Sequence, residues 1–137
     1  MNTRAETYFA HSGKQVDKSD WQPLAAHLEQ TAARAEATGA QLGLGQAARL
    51  AGLFHDFGKY DPAFQSQRLM GGNERVDHST AGGKLILERA PAGRQPIAEL
   101  LAAAILGHHA GLPDSSGSAG SMAARLDSFT DKIAPEI

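Results

Sequence analysis

Apolar residues recur at intervals of three and four along most of the chain, which is the period of amphipathic helices. The pattern predicts helices over about 22–37, 41–58, 76–89 and 96–110, and a short last helix over 122–133. Asp20 is the expected N-cap of the first helix, with Pro23 in its first turn. Ala and Leu dominate the apolar residues, which also favours helices. We therefore expect an all-α bundle of about five helices, forming one domain over residues 1–137.

The fourth predicted helix carries the most regular apolar stripe. Its members, at i, i+3 and i+4 spacing, are Ile97, Leu100, Leu101, Ala104, Ile105 and His108. We expect this face to be buried. The segment 115–121 that follows is rich in Ser and Gly and is expected to be a flexible connector.

Composition narrows the class of protein. The chain has no cysteine, which excludes disulfides, thiolate zinc sites and a cysteine nucleophile. No apolar run reaches the roughly 20 residues of a membrane span, and residues 1–6 lack the hydrophobic region of a signal peptide. We expect a cytoplasmic protein without membrane contact. The net charge of -2 requires any DNA contact to be local or shared with a partner.

The segment 51–59 has the clearest chemical pattern. On a helix, His55, Asp56 and Lys59 fall within about 100° of arc, opposite an apolar face. An imidazole beside a carboxylate is a metal-binding arrangement, with an ammonium one turn away. Gly52 lies on the same polar arc, where the missing side chain lets another group approach the backbone.

Further histidines extend this pattern to other predicted helices. With the Asp56 carboxylate, the candidate ligands are His27, His55, His78, His108 and His109, which are five of the six histidines. Helical bundles build metal sites from inward-facing side chains of this kind. Imidazole-rich ligation suits Mn, Fe, Co, Ni or Zn better than Mg. Each of these histidines could instead be structural, and a lone histidine on an apolar helix face, such as His27, is more often a core or boundary residue.

These motifs carry a resemblance to a known family over residues 8–114. They are His27, then Gly52-Leu53-Phe54-His55-Asp56-Phe57-Gly58-Lys59-Tyr60, then Val76-Asp77-His78-Ser79-Thr80-Ala81-Gly82, then Gly107-His108-His109-Ala110-Gly111-Leu112-Pro113-Asp114. The segments Tyr8–Ser12 and Phe64-Gln65 are also similar. The chain resembles the HD superfamily, and more narrowly the HD nuclease domain of the CRISPR-associated helicase-nuclease of type I systems.

The resemblance implies two divalent transition-metal ions bridged by Asp56. His27 and His55 would hold the first ion, and His78, His108 and His109 the second. Mn, Fe, Co or Ni is expected ahead of Zn or Mg. Asp56 and Lys59 would be the catalytic residues, with Lys59 stabilising charge on the phosphate; the alternative for Lys59 is an interaction with a helix dipole.

Two features depart from the family pattern. The family has a further Asp, far downstream, that completes the shell of the first ion; only Asp114, Asp127 and Asp131 are available here. A domain truncated at its C-terminus and a complete small protein are both open. The chain also lacks a phosphate-binding motor loop, because Gly82-Gly83-Lys84-Leu85 does not match that motif. A helicase would therefore be a separate chain or a further domain.

The function implied is a metal-dependent phosphodiesterase that degrades single-stranded DNA in CRISPR antiviral defence, using a metal-activated water. Its partners would be single-stranded DNA, a helicase domain or chain, and the CRISPR surveillance complex. Arg68, Arg75 and Lys84 are candidate DNA contacts, although each also fits an ordinary solvated charge. The alternatives are an HD phosphohydrolase of nucleotides or cyclic nucleotides, and a catalytically incomplete HD domain that acts as a binding module.

Two substitutions follow as expectations from the sequence. Asp56→Ala should abolish turnover with little loss of fold. His11→Ala should be nearly neutral, because His11 lies outside the predicted ligand set.

Overall fold

The computed structural model describes residues 7–137, so residues 1–6, where no signal peptide was expected, lie outside it. The helices are α1 (Leu24–Ala40), α2 (Gly45–Phe54), α3 (Thr80–Arg89), α4 (Gln95–Gly107) and α5 (Met122–Ser128). A 3-10 turn (Phe57–Tyr60) and a π-helical turn (Phe64–Arg68) lie between α2 and α3, and β1 (Phe9–His11) pairs antiparallel with β2 (Gln22–Pro23). The prediction of an all-α fold of about five helices is confirmed.

Helices α1 and α2 form a closely packed antiparallel pair. A Cβ added to Gly52 of α2 would lie 2.8 Å from the Cα of Ala32 on α1, so only glycine fits at this crossing. The group that approaches Gly52 is therefore the backbone of α1. Leu24 and Leu28 of α1 pack with Ala10 of β1 in a buried cluster, which places the small sheet against the start of α1.

The predicted start of the first helix is wrong. Gln22 and Pro23 belong to β2, and the N–H of Leu24 donates to the Tyr8 carbonyl across the sheet (2.8 Å). The Asp20 carboxylate accepts the N–H groups of Lys14 and Gln15 (2.7 and 3.0 Å) and so closes the β1–β2 loop. It therefore does not cap the helix.

The second predicted helix is too long at its C-terminal end. Helix α2 ends at Phe54, and Asp56 leaves helical geometry (φ -112°, ψ 21°). The cause lies nearby: the Gly58 N–H donates to the His78 carbonyl (3.1 Å), and a Cβ on Gly58 would lie 2.4 Å from that oxygen. The dyad therefore projects from a turn at a helix end, not from a helix face.

The predicted buried stripe on α4 is also wrong, except at Ile105. The buried residues are Ala98, Ala102, Ile105, Leu106 and Gly107, whereas Ile97 and Leu100 are 46% and 74% exposed. The reason is the close approach of α3, where a Cβ on Gly83 would lie 2.2 Å from Leu106 Cδ1. Because Gly83 has no side chain, the face of α4 that carries Ala102 and Leu106 can pack closely against α3.

The remaining helix boundaries differ more modestly from prediction. Helix α3 begins at Thr80, four residues later than expected, so that His78 lies just before the helix. Helix α5 ends at Ser128 instead of Ile133. Among the helices described, none combines the length and apolar character needed to cross a membrane.

Candidate metal centre

The carboxylate of Asp56 lies at the centre of the imidazole cluster and is 3% exposed. Its Oδ2 atom faces the Nε2 atoms of His27 (3.1 Å) and His55 (3.2 Å), which are themselves 3.2 Å apart. We call His27, His55 and Asp56 the first half-site. Their three ligand atoms lie within 4.8 Å of one another, a spacing that fits one ion.

The other carboxylate oxygen faces a second group of imidazoles. Asp56 Oδ1 lies 3.2 Å from His108 Nε2 and 3.6 Å from His78 Nε2, and His78 Nε2 lies 2.8 Å from His109 Nε2. We call Asp56, His78, His108 and His109 the second half-site, whose ligand atoms also lie within 4.8 Å of one another. The structure thus brings together all six predicted ligands, with Asp56 common to both groups.

Three of the imidazoles share the same outer hydrogen bond, in which Nδ1 contacts a backbone carbonyl. An Nδ1–H that donates to a carbonyl leaves a lone pair on Nε2, the nitrogen that faces Asp56. The pairs are His55 with Gly52 (2.6 Å), His108 with Ile105 (2.7 Å) and His78 with Val76 (3.2 Å). The backbone therefore presents these rings in the tautomer that metal ligation requires.

The ligands come from one helix face and three helix ends. His27 lies on α1, the His55-Asp56 pair follows α2, His78 precedes α3, and the His108-His109 pair follows α4. His78 is fixed by its neighbour Asp77, whose Oδ1 accepts the N–H groups of Ser79 and Thr80 (3.0 Å each) at the start of α3. Most of the candidate ligands therefore project from helix ends. The prediction from sequence assumed that they share a helix face, and so it misplaced them.

Lys59 is buried, with only 5% of its surface exposed, and it contacts Asp56 from the interior of the protein. Its ammonium donates to Asp56 Oδ2 (2.9 Å) and to the Ala10 carbonyl (3.1 Å). The Gln65 amide donates to the carbonyls of Lys59 (2.8 Å) and Phe9 (2.9 Å) and accepts the Phe9 N–H (3.0 Å). Strand β1 is therefore tied to the turn that carries Asp56 and Lys59.

His11 lies beside the first half-site, a position that sequence reasoning missed. Its ring packs edge to face on that of His27, with centroids 5.0 Å apart. Nothing in the local pattern predicts strand β1, so the sequence offered no reason to bring residues 9–11 to α1. The one available signal was that the Tyr8–Ser12 segment shares the family resemblance.

The surroundings of Asp56 keep its carboxylate ionised. Burial alone raises the pKa of this group, but hydrogen bonds from His108, His55 and Lys59, together with the charge of Lys59, outweigh burial and hold the pKa far below its usual range. The carboxylate is therefore a charged ligand under all physiological conditions.

Most of the imidazoles are held in their neutral form. Burial lowers the pKa of three of them, namely His27, His78 and His109. For His55, burial also opposes charge, but the hydrogen bond and charge of Asp56 prevail and raise its pKa. Neutral imidazole nitrogens around an ionised carboxylate are the donors that divalent transition metals take, so the residues fit such ions.

A groove of about 520 Å³ opens beside the second half-site. Its lining includes Arg68, Asn73 and Arg75 together with His78 and His109. Both arginines are exposed, and neither forms an ion pair with any residue in the described part of the chain. Two exposed guanidinium groups therefore border the groove beside the candidate metal ligands.

The other predicted contacts are not brought to this groove. The Lys84 ammonium lies 4.0 Å from the Glu88 carboxylate and over the Phe129 ring, outside the groove lining. Within residues 7–137, neither half-site includes any of the three candidates for the distal ligand, Asp114, Asp127 and Asp131. The first half-site thus has three ligands from the described residues.

Comparison with known proteins identifies the family. No curated protein matches the chain, but the family model described as "Cas3, HD domain" matches residues 10–133. The match includes all six ligands and extends through α5, and it confirms the resemblance that the motifs suggested. The chain belongs to the Cas3 HD domain family, whose members are metal-dependent HD hydrolases of CRISPR systems.

Proposed function

We propose that this protein is a nuclease that cleaves phosphodiester bonds of single-stranded DNA in CRISPR antiviral defence, using two divalent transition-metal ions. One observation carries the proposal: the two oxygens of the buried Asp56 carboxylate face two separate groups of imidazoles. A carboxylate shared by two ligand sets can hold two ions close together, as two-metal enzymes that cleave phosphodiester bonds do.

Each ligand has a distinct task in this proposal. Asp56 would bridge the two ions, the first half-site would hold one of them, and the second half-site would hold the other. When bound, such ions neutralise charge on the scissile phosphate and activate water at neutral pH. Lys59 orients Asp56 through its 2.9 Å contact and adds positive charge near the phosphate position. Imidazole-rich ligation favours transition metals over Mg, and within this proposal we expect Mn, Fe, Co or Ni ahead of Zn.

The depth and lining of the groove support the proposal that the substrate is single-stranded. Asp56 is nearly inaccessible, and the side chains of His27, His55, His78 and His108 are only 16–22% exposed, so a phosphate must enter a recess to reach them. A flexible single strand can bend into a recess, whereas a rigid duplex cannot. The groove is large enough for a nucleotide-sized group, and its two arginines suit phosphate contacts on either side of the cut.

Replacing Arg68 or Arg75 by Ala should weaken single-stranded DNA binding about tenfold, because each guanidinium would contact one backbone phosphate. Binding of a fluorescent oligonucleotide to metal-free protein, followed by anisotropy at several salt concentrations, measures this without turnover. Each change should also reduce the slope of log affinity against log salt by about 0.7. Arg89→Ala, at the exposed end of α3, is the matched control. Equal slopes in wild type, Arg68→Ala and Arg75→Ala would contradict the assignment.

The function is tested by comparing three substrates after metal removal and separate addition of Mn, Fe, Co, Ni, Zn or Mg. The expected result is cleavage of circular single-stranded DNA with little action on circular duplex or on cyclic mononucleotides. Preferential hydrolysis of cyclic mononucleotides would support the phosphohydrolase alternative instead. Absence of turnover with every metal, in folded protein, would support a binding module.

The partners and location are part of the same proposal. We place the protein in the cytoplasm, where a helicase domain or chain would supply unwound DNA at the CRISPR surveillance complex. The family provides the CRISPR context, and the exposed arginines supply a local positive patch despite the net charge of -2.

A further inference from the structure

Arg125 on α5 forms a bridge between the two segments that carry the second half-site. Its Nη1 donates to the Leu106 carbonyl (2.7 Å), and its Nη2 donates to Thr80 Oγ1 (3.1 Å) and lies 3.7 Å from Asp77 Oδ1. The side chain is 21% exposed. A half-buried guanidinium with acceptors on two other helix ends is a structural link, not a solvated charge.

The acceptors of Arg125 adjoin the metal ligands on both segments. Leu106 lies two residues before His108, at the end of α4. Asp77 and Thr80 surround His78, and the Thr80 hydroxyl also donates to Asp77 Oδ2 (2.5 Å). One planar group therefore fixes the separation between the α4 end and the α3 start, from which His78 and His108 face Asp56.

Helix α5 also holds the chain that follows the paired histidines. The N–H groups of Met122 and Ala123 donate to the carbonyls of Asp114 (2.7 Å) and Ser115 (3.0 Å). Ser121, 1% exposed, caps the helix by accepting the Ala124 N–H (3.2 Å). The turn containing His108 and His109 is thus tied to α5 on both sides, by Arg125 before it and by these backbone bonds after it.

We propose that Arg125 is a positioning residue that sets the metal affinity of the second half-site. This inference rests on the two-ion part of the proposed function. Groups that orient metal ligands from outside the ligand set typically change metal affinity by 10- to 100-fold when removed. Among the described residues, Arg125 forms no hydrogen bond or ion pair with the first half-site, so its direct effect should fall on His78, His108 and His109.

The test follows each imidazole separately while metal is added to the full chain. Protein with ¹⁵N-labelled histidine is titrated with Zn²⁺, and the ring signals are assigned by single His→Gln variants. For each ring, the Zn²⁺ concentration at half of the total signal change is the midpoint of its half-site. Arg125→Gln should raise the midpoint of His78, His108 and His109 about tenfold and leave that of His27 and His55 within twofold. Arg125→Lys should not restore it, because an ammonium lacks the fork that spans two acceptors.

Two further variants separate positioning from general stability. Arg89→Gln makes the same charge change on an exposed side chain of α3 and should leave every midpoint unchanged. Thr80→Val removes one acceptor of Arg125 with similar shape, and should give a smaller rise confined to the same three rings. Unchanged midpoints in Arg125→Gln, or an equal rise in all five rings, would overturn the inference. If the three rings fail to respond in wild type, the two-ion proposal itself fails, and that outcome is visible without any Arg125 variant.

Discussion

Asp56→Ala is expected to abolish DNA cleavage and to lower the free energy of unfolding by about 3 kcal/mol. Cleavage is lost because both half-sites share this carboxylate. The loss of stability revises the expectation from sequence alone. Lys59 is buried, and without Asp56 its ammonium keeps the Ala10 carbonyl and the face of the Phe64 ring (5.3 Å to the centroid) but has no carboxylate among its described contacts, which leaves a buried charge without a counter-charge. Urea unfolding and cleavage of circular single-stranded DNA measure the two effects.

A double substitution separates these two effects of Asp56. In Asp56→Ala/Lys59→Met, the buried ammonium is absent, so the protein should regain much of the lost stability while remaining inactive. If the double variant is no more stable than Asp56→Ala, the Lys59–Asp56 pair does not explain the stability loss. Cleavage by either variant would exclude Asp56 as the bridging ligand.

Gly82→Ala is expected to destabilise the protein by about 3 kcal/mol, at the upper end for overpacking. A Cβ at this position on α3 would lie 1.9 Å from the backbone oxygen of Phe54, at the end of α2. Because the obstacle is backbone, α3 must move away from α2, and His78 and Asp56 would move apart with them. The better helix propensity of Ala offsets only about 1 kcal/mol of this cost.

The matched control for Gly82 is Gly120→Ala. A Cβ at Gly120 meets nothing within 4 Å, so thermal unfolding should shift little. A melting temperature for Gly82→Ala equal to that of Gly120→Ala would show that α2 and α3 tolerate separation. It would also remove the argument that close helix packing fixes the metal ligands.

The sequence predicted which residues cluster in the candidate site better than it predicted how the backbone positions them. Five histidines and Asp56 could be identified because their chemistry and order are visible in the chain. Their positions at helix ends could not, because the end of α2 depends on Gly58 meeting His78, twenty residues later. Helical periodicity is a local signal and does not contain such contacts.

The predictions for helix α4 and strand β1 failed for the same reason, because a local pattern does not contain contacts between distant segments. The large apolar residues Ile97 and Leu100 predicted the buried face, but the face with Ala102 and Leu106 packs against Gly83 of α3 instead. Strand β1 is too short to have a pattern, and it is held by the Gln65 side chain and by Lys59. His11 therefore reached the first half-site through contacts that no local pattern reveals.

The most direct test of a carboxylate shared by two half-sites is the number of ions needed for activity. Metal-free protein is loaded with increasing equivalents of Mn²⁺ or Co²⁺, and bound metal and cleavage of circular single-stranded DNA are measured on the same samples, with His78→Gln for comparison. We predict two bound ions in wild type, with cleavage rising mainly on the second, and one ion with little cleavage in His78→Gln. Full activity of wild type with a single bound ion would contradict the two-ion centre.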